Sequence, residues 1–153
     1  MMKFSELIKK DKIFYYDKLP TKDKYELLQM ILENTLKNTK YINKIDLIWN
    51  SLKEREQAMS TGIGGSLAIP HCTTDHVDEI LASLTLSKEN IDFQSLDGSP
   101  VRIIVLLIIS RNNFDAHIKA LASVARTFQD AETKKSVLKA RNIEEIYKII
   151  EKL

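Results

Sequence analysis

The residues of this chain that are best suited to covalent chemistry are its three histidines, His71, His76 and His117. Imidazole is nucleophilic near neutral pH and can hold a covalent intermediate. His71 follows Pro70, which stiffens the backbone, and it lies near residues 60–66, which contain three of the four glycines. Loops held on a rigid frame are where reactive residues tend to lie. His71 is therefore the first candidate nucleophile, although most histidines in such positions are ordinary turn residues.

Two further side chains could assist a histidine that carries an anionic group. His117 becomes important only if the fold brings it beside His71, where it could hydrogen-bond the anion or hold the ring. Arg55 offers a planar fork that matches phosphate oxygens, although its charged neighbours are also typical of a solvated helix face. His76 lies in a polar stretch and is interpreted as an ordinary surface residue.

The spacing disfavours a metal or nucleotide site. Cys72, the single cysteine, adjoins His71, but neighbouring residues of a strand point to opposite faces and would not converge on one ion. The sequence has no Cys-x-x-Cys or His-x-x-x-His pair, and residues 60–66 lack the Gly-Lys-Ser/Thr ending of a phosphate-binding P-loop. We therefore expect no metal and no cofactor.

Composition indicates a soluble cytoplasmic protein. The 153 residues suit one domain with its own core, residues 1–153, and a formal net charge of +2 disfavours nucleic acid as a partner. The longest apolar run, residues 103–109, is too short to cross a bilayer, and the charged start of the chain disfavours a signal peptide. A lone cysteine fits a reducing compartment. We expect no insertion into a membrane.

Several stretches are typical of β-strands. Residues 101–109 are nearly all branched and apolar, which predicts a central strand covered on both faces. Residues 60–66 are expected to form a flexible loop, followed by a short extended piece over residues 67–71. The other predicted strands cover residues 13–16, residues 80–86 as a half-buried strand, and a short strand beginning at Phe93.

The remaining pattern is helical. Apolar residues recur at helical spacing between the predicted strands, and residues 134–140 are interpreted as a turn. This mixture predicts an α/β fold: a single domain with a mixed β-sheet and helices packed on both faces. The predicted helices cover residues 4–10, residues 22–36 capped by Thr21, a helix capped by Asn43 that runs to about Met59, residues 114–128 capped by Asn112 or Asn113, and residues 143–153.

Three motifs in this order resemble the fructose/mannitol/nitrogen-regulatory class of phosphotransferase enzyme IIA domains. The resemblance extends over nearly the whole chain, and the first motif is the most specific. The motifs are Arg55-Glu56 with the Ser-Thr-Gly-Ile-Gly of residues 60–64 and the Ala-Ile-Pro-His of residues 68–71, then the Asp-Gly-Ser-Pro-Val of residues 97–101, and finally the His-Ile-Lys-Ala-Leu-Ala of residues 117–122.

The resemblance implies a phosphorylated histidine at His71. The donor would be the carrier HPr or a nitrogen-branch equivalent, and the acceptor a cysteine of a IIB domain in sugar uptake. By the same resemblance, His117 is the second active-site histidine and Arg55 stabilises the phosphoryl group. Phosphoryl transfer requires hydrogen-bonding groups for three equatorial oxygens. The loop residues expected to supply them are Ser60, Thr61 and Gly62.

Other interpretations of the same motifs stay open. The protein could instead be a nitrogen-regulatory IIA-like module that binds and controls a target protein according to its phosphorylation state. It could also be a degenerate homologue, because Cys72 replaces the glycine that usually follows the active histidine in this class. In a transport role it could associate with a membrane IIBC complex. An apolar docking patch is expected from Ile63, Leu67 and Ile69.

Overall fold

The computed structural model describes residues 2–153, and a mixed β-sheet of six strands lies at their centre. The strand order is β1-β5-β6-β3-β2, with β4 also paired to β6. β5 and β6 are antiparallel, as are β2 and β3, and all other pairs are parallel. The strands are β1 (Ile13–Tyr16), β2 (Gly62–Gly64), β3 (Ser66–Ala68), β4 (His71–Thr74), β5 (Leu81–Ile91) and β6 (Val101–Ser110).

The helices cover both faces of this sheet, which confirms the predicted α/β architecture. The apolar side chains of α2 and α3 pack on one face, and those of α1, α4, α5 and α6 pack on the other. The bounds are α1 (Phe4–Leu7), α2 (Lys24–Leu36), α3 (Ile45–Ala58), α4 (Phe114–Gln129), α5 (Ala131–Lys139) and α6 (Ile143–Ile150), with 3-10 turns at Lys10–Lys12 and Ile42–Lys44. None of these helices is long and apolar enough to cross a membrane.

β6 is the central strand that its apolar run predicted. Ile103 and Val105 pack toward α4 and α6, whereas Ile104 and Leu106 pack toward α2 and α3, so both faces of the strand are buried. β5 differs from its prediction as a half-buried strand, because residues 82–87 are all buried. Its Ser and Thr side chains produced the appearance of alternation, although they too lie inside the protein.

Two of the predicted helix caps are wrong and one is confirmed. α2 begins after Asp23 rather than Thr21, because the Asp23 carboxylate accepts the first free backbone amides of the helix. Asn43 lies inside a 3-10 turn, and α3 begins without a side-chain cap. At α4 the cap is Asn113, whose side-chain oxygen accepts the backbone N–H of Ala116 at 3.1 Å.

Three other stretches also differ from the sequence prediction. Residues 134–140 belong mostly to helix α5 rather than to a turn. Phe93 is buried in a loop and begins no strand. The glycine-rich stretch forms the tight hairpin of β2 and β3, in which Gly64 and Gly65 have φ values of 92° and 59° that favour glycine.

The break between β3 and β4 positions the first candidate residue. Both strands pair in parallel with β6, β3 with its first half and β4 with its second. Ile69 and Pro70 lie between them, and Pro70 has no N–H to donate, although its carbonyl accepts from Leu107 at 3.0 Å. His71 is consequently the first residue of β4.

We expect Asn113→Ala to lower the free energy of unfolding by about 1 kcal/mol, because the first turn of α4 loses its side-chain cap. Urea unfolding followed by circular dichroism measures the change. The matched control is Asn112→Ala, one residue earlier and outside the cap. Equal losses of stability in the two variants would contradict the assigned cap.

Candidate functional site

The His71 ring is half-buried, and a hydrogen bond at one of its two nitrogens fixes its orientation. Its Nδ1 atom lies 2.7 Å from the carbonyl oxygen of Ile69, two residues earlier. A carbonyl oxygen can only accept a hydrogen bond, so Nδ1 carries the proton that is donated. In the neutral ring the lone pair is therefore on Nε2. The backbone break before His71 thus selects one ring nitrogen as the potential nucleophile.

His117 lies beside this ring, as the resemblance implied. It is on the first turns of α4, and its ring centroid is 5.8 Å from that of His71, with the two planes inclined by 63°. The Phe114 ring also lies near His117, with the two ring centroids 6.4 Å apart. The capped start of α4 therefore places the second histidine against the first.

An open cleft of about 410 Å³ brings these rings together with Arg55. Arg55 is on the last turn of α3, and one of its guanidinium nitrogens donates to the carbonyl of Met59 at 2.8 Å, which holds the side chain in the cleft wall. Two arginines and one carboxylate line it, so the cleft favours anions. Its lining is Ser51, Glu54, Arg55, Ala58, His71, Cys72, Thr73, Arg111 and His117.

Burial lowers the pKa of His71 below the ordinary value of 6.5. The hydrogen bond to the Ile69 carbonyl opposes this effect on the pKa of His71, whereas the electrostatic influence of Arg55 and the nearby His117 ring adds to it. Desolvation disfavours the charged ring, and so do neighbouring cations. The ring is therefore neutral, with a free lone pair, at pH 7.

The structure does not bring Ser60, Thr61 and Gly62 into this cleft. The Ser60 hydroxyl donates to the Phe93 carbonyl at 3.0 Å and accepts the backbone N–H of Gly62 at 3.2 Å. Thr61 donates both its backbone N–H and its hydroxyl to the carboxylate of Glu56. Contact of these three residues with a phosphoryl group stays a prediction, and such contact would require the present bonds to be exchanged.

Arg111 and Thr73 line the cleft, and the sequence analysis missed them. Arg111 directly follows β6, and its guanidinium lies 3.2 Å from a carboxylate oxygen of Asp75 at the surface. β4 and β6 are parallel neighbours that end together, with Thr74 opposite Ser110. A charged residue immediately after a buried strand was the signal that could have identified Arg111, because polar side chains at strand ends tend to surround sites.

Cys72 borders the cleft but is only 4% exposed, because its side chain points to the opposite face of β4 from that of His71. Its side chain packs among the apolar residues of α2 and α3, and burial raises the pKa of its thiol to about 12. The reactive form of cysteine is the thiolate, so this side chain is inert near pH 7. Within residues 2–153, no three His, Cys, Asp or Glu side chains are grouped as metal ligands would be.

The apolar patch predicted from three residues is wrong for two of them. Leu67 and Ile69 are 4% and 7% exposed and belong to the core. Ile63 is 56% exposed, as expected. Exposed apolar side chains next to residues of the cleft lining include Met59 at 57%, Phe114 at 70% and Ile118 at 52%.

Among curated proteins, the chain is similar to both transport and regulatory relatives. It is 31% identical over 103 residues to a nitrogen regulatory protein of Bradyrhizobium diazoefficiens, a match covering 67% of each protein. It is 32% identical over 109 residues to the mannitol-specific phosphotransferase enzyme IIA component of Staphylococcus aureus, covering 69% of this chain and 72% of that protein. It is 28% identical over 149 residues to the fructose-specific EIIABC component of Bacillus subtilis, covering 97% of this chain and 23% of that protein.

Solved structures share the same fold. The nitrogen regulatory protein IIA-Ntr of Neisseria meningitidis superposes with a TM-score of 0.76 at 24% identity, covering 95% of this chain and 97% of that one. IIA mannitol from Escherichia coli gives a TM-score of 0.72 at 19% identity, covering 94% and 98%. The same fold appears in the Escherichia coli complex of IIAMTL with phosphorylated IIBMTL, with a TM-score of 0.72 at 20% identity, covering 94% and 96%.

A family model described as "Phosphoenolpyruvate-dependent sugar phosphotransferase system, EIIA 2" matches residues 6–153, nearly the whole chain. This match confirms the resemblance carried by the three motifs. The chain therefore belongs to the EIIA 2 family of the phosphoenolpyruvate-dependent sugar phosphotransferase system.

Proposed function

We propose that this protein is a phosphocarrier that accepts a phosphoryl group from an HPr-like phosphocarrier on Nε2 of His71 and passes it to a IIB cysteine in sugar uptake. The observation that carries the proposal is the hydrogen bond from His71 Nδ1 to the Ile69 carbonyl, which leaves Nε2 unprotonated beside a cationic cleft. Family membership supports phosphotransfer as the chemistry.

The transfer exchanges one nitrogen–phosphorus bond for another. The Nε2 lone pair of His71 attacks the phosphorus atom of the donor phosphohistidine, and the electron pair of the breaking bond returns to the donor ring. His71 keeps its proton on Nδ1 throughout. The ring gains positive character as the new bond forms, and the Ile69 carbonyl, at 2.7 Å, stabilises that charge. No metal or nucleotide is needed for this exchange.

Arg55 and His117 are the proposed partners of the transferred group. Charge in such a transition state is spread over three equatorial oxygens, and catalysis consists mainly of positioning and electrostatic stabilisation. The guanidinium fork of Arg55 matches two oxygens, and His117 lies close enough to His71 to donate to a third. Both side chains line the cleft that a phosphoryl group on Nε2 would enter.

The exposed apolar side chains next to the cleft support brief contact with protein partners. Phe114 and Ile118, on either side of the cleft residue His117 in α4, are each more than half exposed. The solved complex of IIAMTL with phosphorylated IIBMTL supports a IIB domain as the acceptor here. The fructose-specific EIIABC relative, of which this chain matches 23%, supports association with a membrane IIBC complex.

We expect phosphorylation to depend on His71 and on no other histidine of its stretch. After incubation with enzyme I, HPr and phosphoenolpyruvate, the wild-type protein should gain one acid-labile phosphoryl group by intact mass. His71→Ala should gain none. His76→Ala, the matched control five residues away, should be labelled like the wild type. Full acid-labile labelling of His71→Ala would exclude this residue as the acceptor.

The nitrogen-regulatory relatives support a second candidate, a module that controls a target protein according to its phosphorylation state. The two roles share the phosphorylated His71 and differ in the fate of its phosphoryl group. Transfer of the label to the cysteine of a IIB protein supports transport. Absence of that transfer, together with capture of a target by only one phosphorylation state in a pull-down, supports regulation.

The lowered pKa of His71 predicts that its ring stays neutral at pH values where an ordinary histidine is already protonated. Titration of the ring nitrogen shifts by NMR should give a pKa below 6.5. Arg55→Gln removes one nearby positive charge, so the pKa should rise. The rise should be partial because burial, the larger cause, is unchanged. A pKa that falls in this variant would contradict the proposed proximity of the two groups.

Arg55→Gln should also slow phosphoryl acceptance by about 100-fold, as expected when one charge-stabilising donor is lost. The rate can be measured by rapid quench with phosphorylated HPr. Lys53→Gln is the matched control, since Lys53 is an exposed cation on the same helix and does not line the cleft. Equal slowing of both variants would indicate general attraction of the donor rather than contact with the phosphoryl group.

A further inference from the structure

Glu56, the neighbour of Arg55, is a buried charge. Its side chain is inaccessible, and one of its oxygens lies 3.0 Å from the ammonium nitrogen of Lys24, which is itself 4% exposed. The ammonium group also lies 4.5 Å from the centre of the Phe93 ring. Buried ion pairs contribute little net stability because desolvation offsets their attraction. A gain in net stability therefore does not explain why Lys24 and Glu56 are buried together at this place in the fold.

The Glu56 carboxylate also accepts two hydrogen bonds from Thr61. One oxygen accepts the backbone N–H of Thr61 at 2.7 Å, and the other accepts its hydroxyl at 2.6 Å. Thr61 is 4% exposed, so both bonds are shielded from water. The carboxylate thus holds the backbone of the residue that directly precedes β2.

Thr61 also lies opposite Ile69 in the extension of the β2–β3 hairpin. Gly62 pairs with Ala68 in this antiparallel ladder, so the next pair outward is Thr61 with Ile69. Residues in a hydrogen-bonded antiparallel pair normally exchange two N–H···O bonds. Here the Ile69 N–H donates to the Thr61 carbonyl at 3.1 Å, but the Thr61 N–H donates to Glu56 instead of returning a bond to Ile69.

Because the Thr61 N–H does not donate to it, the Ile69 carbonyl can accept another hydrogen bond, and the His71 ring supplies that bond. The carbonyl accepts from Nδ1 of His71 at 2.7 Å, in the place of the ladder bond that Thr61 would supply. If the Thr61 N–H were released, it would compete with the ring for the same acceptor. By binding the Thr61 N–H, Glu56 therefore determines that the Ile69 carbonyl accepts its hydrogen bond from His71.

We propose that Glu56, held by Lys24, is a positioning residue that withdraws the Thr61 amide from the hairpin ladder and thereby fixes the tautomer and orientation of the His71 ring. This role rests on the proposed function of His71 as phosphoryl acceptor. It also gives Thr61 a part in the site without contact to the phosphoryl group.

The test replaces the ion pair with apolar residues of similar volume, in the double variant Lys24→Met/Glu56→Leu. Such replacements of buried pairs are often neutral or stabilising, so the fold should survive. The matched control is Thr35→Val/Ser83→Ala, which removes another buried polar pair, 2.8 Å apart, between α2 and β5. Two properties are measured: the tautomer of His71 from its ring nitrogen shifts, and the kinetics of phosphorylation by phosphorylated HPr.

In the wild type the proton should be on Nδ1 of His71. In the double variant the Nε2-protonated tautomer should appear, and the maximal rate should fall by about 10-fold with the KM for phosphorylated HPr unchanged, because the nucleophile is misplaced rather than the partner surface. The control should match the wild type in both properties. An unchanged tautomer and rate in the double variant, or equal losses in the control, would overturn the proposal.

A second variant keeps the proposal testable if the double variant does not fold. Thr61→Val removes only the hydroxyl bond to Glu56, so it should shift the tautomer in the same direction by less, and Thr61→Ser should restore the wild-type value. A wild-type ring protonated on Nε2 would overturn the proposal without any variant. If neither the wild type nor any variant accepts a phosphoryl group, the proposed function is wrong. The tautomer measurement still tests the role of Glu56 in that case.

Discussion

The hydrogen bond between His71 Nδ1 and the carbonyl of Ile69 is the interaction on which the site depends. A neutral imidazole has two nitrogens of similar basicity, and a phosphoryl carrier must present one of them in a fixed direction. A backbone carbonyl makes that choice without adding a formal charge, so the ring stays neutral and nucleophilic. A carboxylate in the same place would favour the protonated ring more strongly, because it would add an opposite charge.

The sheet makes this carbonyl available through the proline break before His71 and the diversion of one ladder amide. Pro70 cannot donate, so strand pairing with β6 is interrupted between β3 and β4. The Ile69 N–H bonds to Thr61 on one side, and the Pro70 carbonyl bonds to Leu107 on the other. The Thr61 amide is taken by Glu56. The bonds to Thr61 and Leu107 follow normal strand pairing, whereas the diverted Thr61 amide leaves the Ile69 carbonyl as an acceptor for the histidine.

The architecture could be predicted from the sequence because its signals are local. The apolar run of β6 and the aromatic stretch of β1 each predict a strand, and the adjacent Asn112 and Asn113 predict the start of α4 to within one residue. Their consequence, helices on both faces of a mixed sheet, is what the structure shows. The predictions that were wrong concern residues whose burial or hydrogen bonding depends on tertiary contacts. The Ser and Thr residues of β5 are buried because segments from elsewhere in the chain pack over them. The N-cap of α2 is Asp23 rather than Thr21, which lies two residues earlier.

The candidate site was only partly predictable for the same reason. The types and order of Arg55, His71 and His117 suggested phosphoryl chemistry, and the fold places all three in one cleft. Ser60 and Thr61 were expected to bind the phosphoryl oxygens because they belong to the loop of the motif that resembles the enzyme IIA class. The sequence could not show that Glu56, a residue with the appearance of a solvated helix face, would be buried and would bind Thr61. Burial of a charge depends on its partner, and Lys24 is 32 residues away in sequence.

Cys72, the main departure from the usual motif, is accommodated because β4 alternates its side chains between two faces. His71 points to the cleft side with His117, whereas the Cys72 side chain enters the core beneath α3. Among residues 2–153, Cys72 is not one of those with positive φ, so the backbone at this position does not require glycine. A thiol with a pKa of about 12 does not compete with a neutral imidazole for phosphate. The cysteine at this position therefore belongs to the packing under the site and leaves the proposed nucleophile, His71, unobstructed.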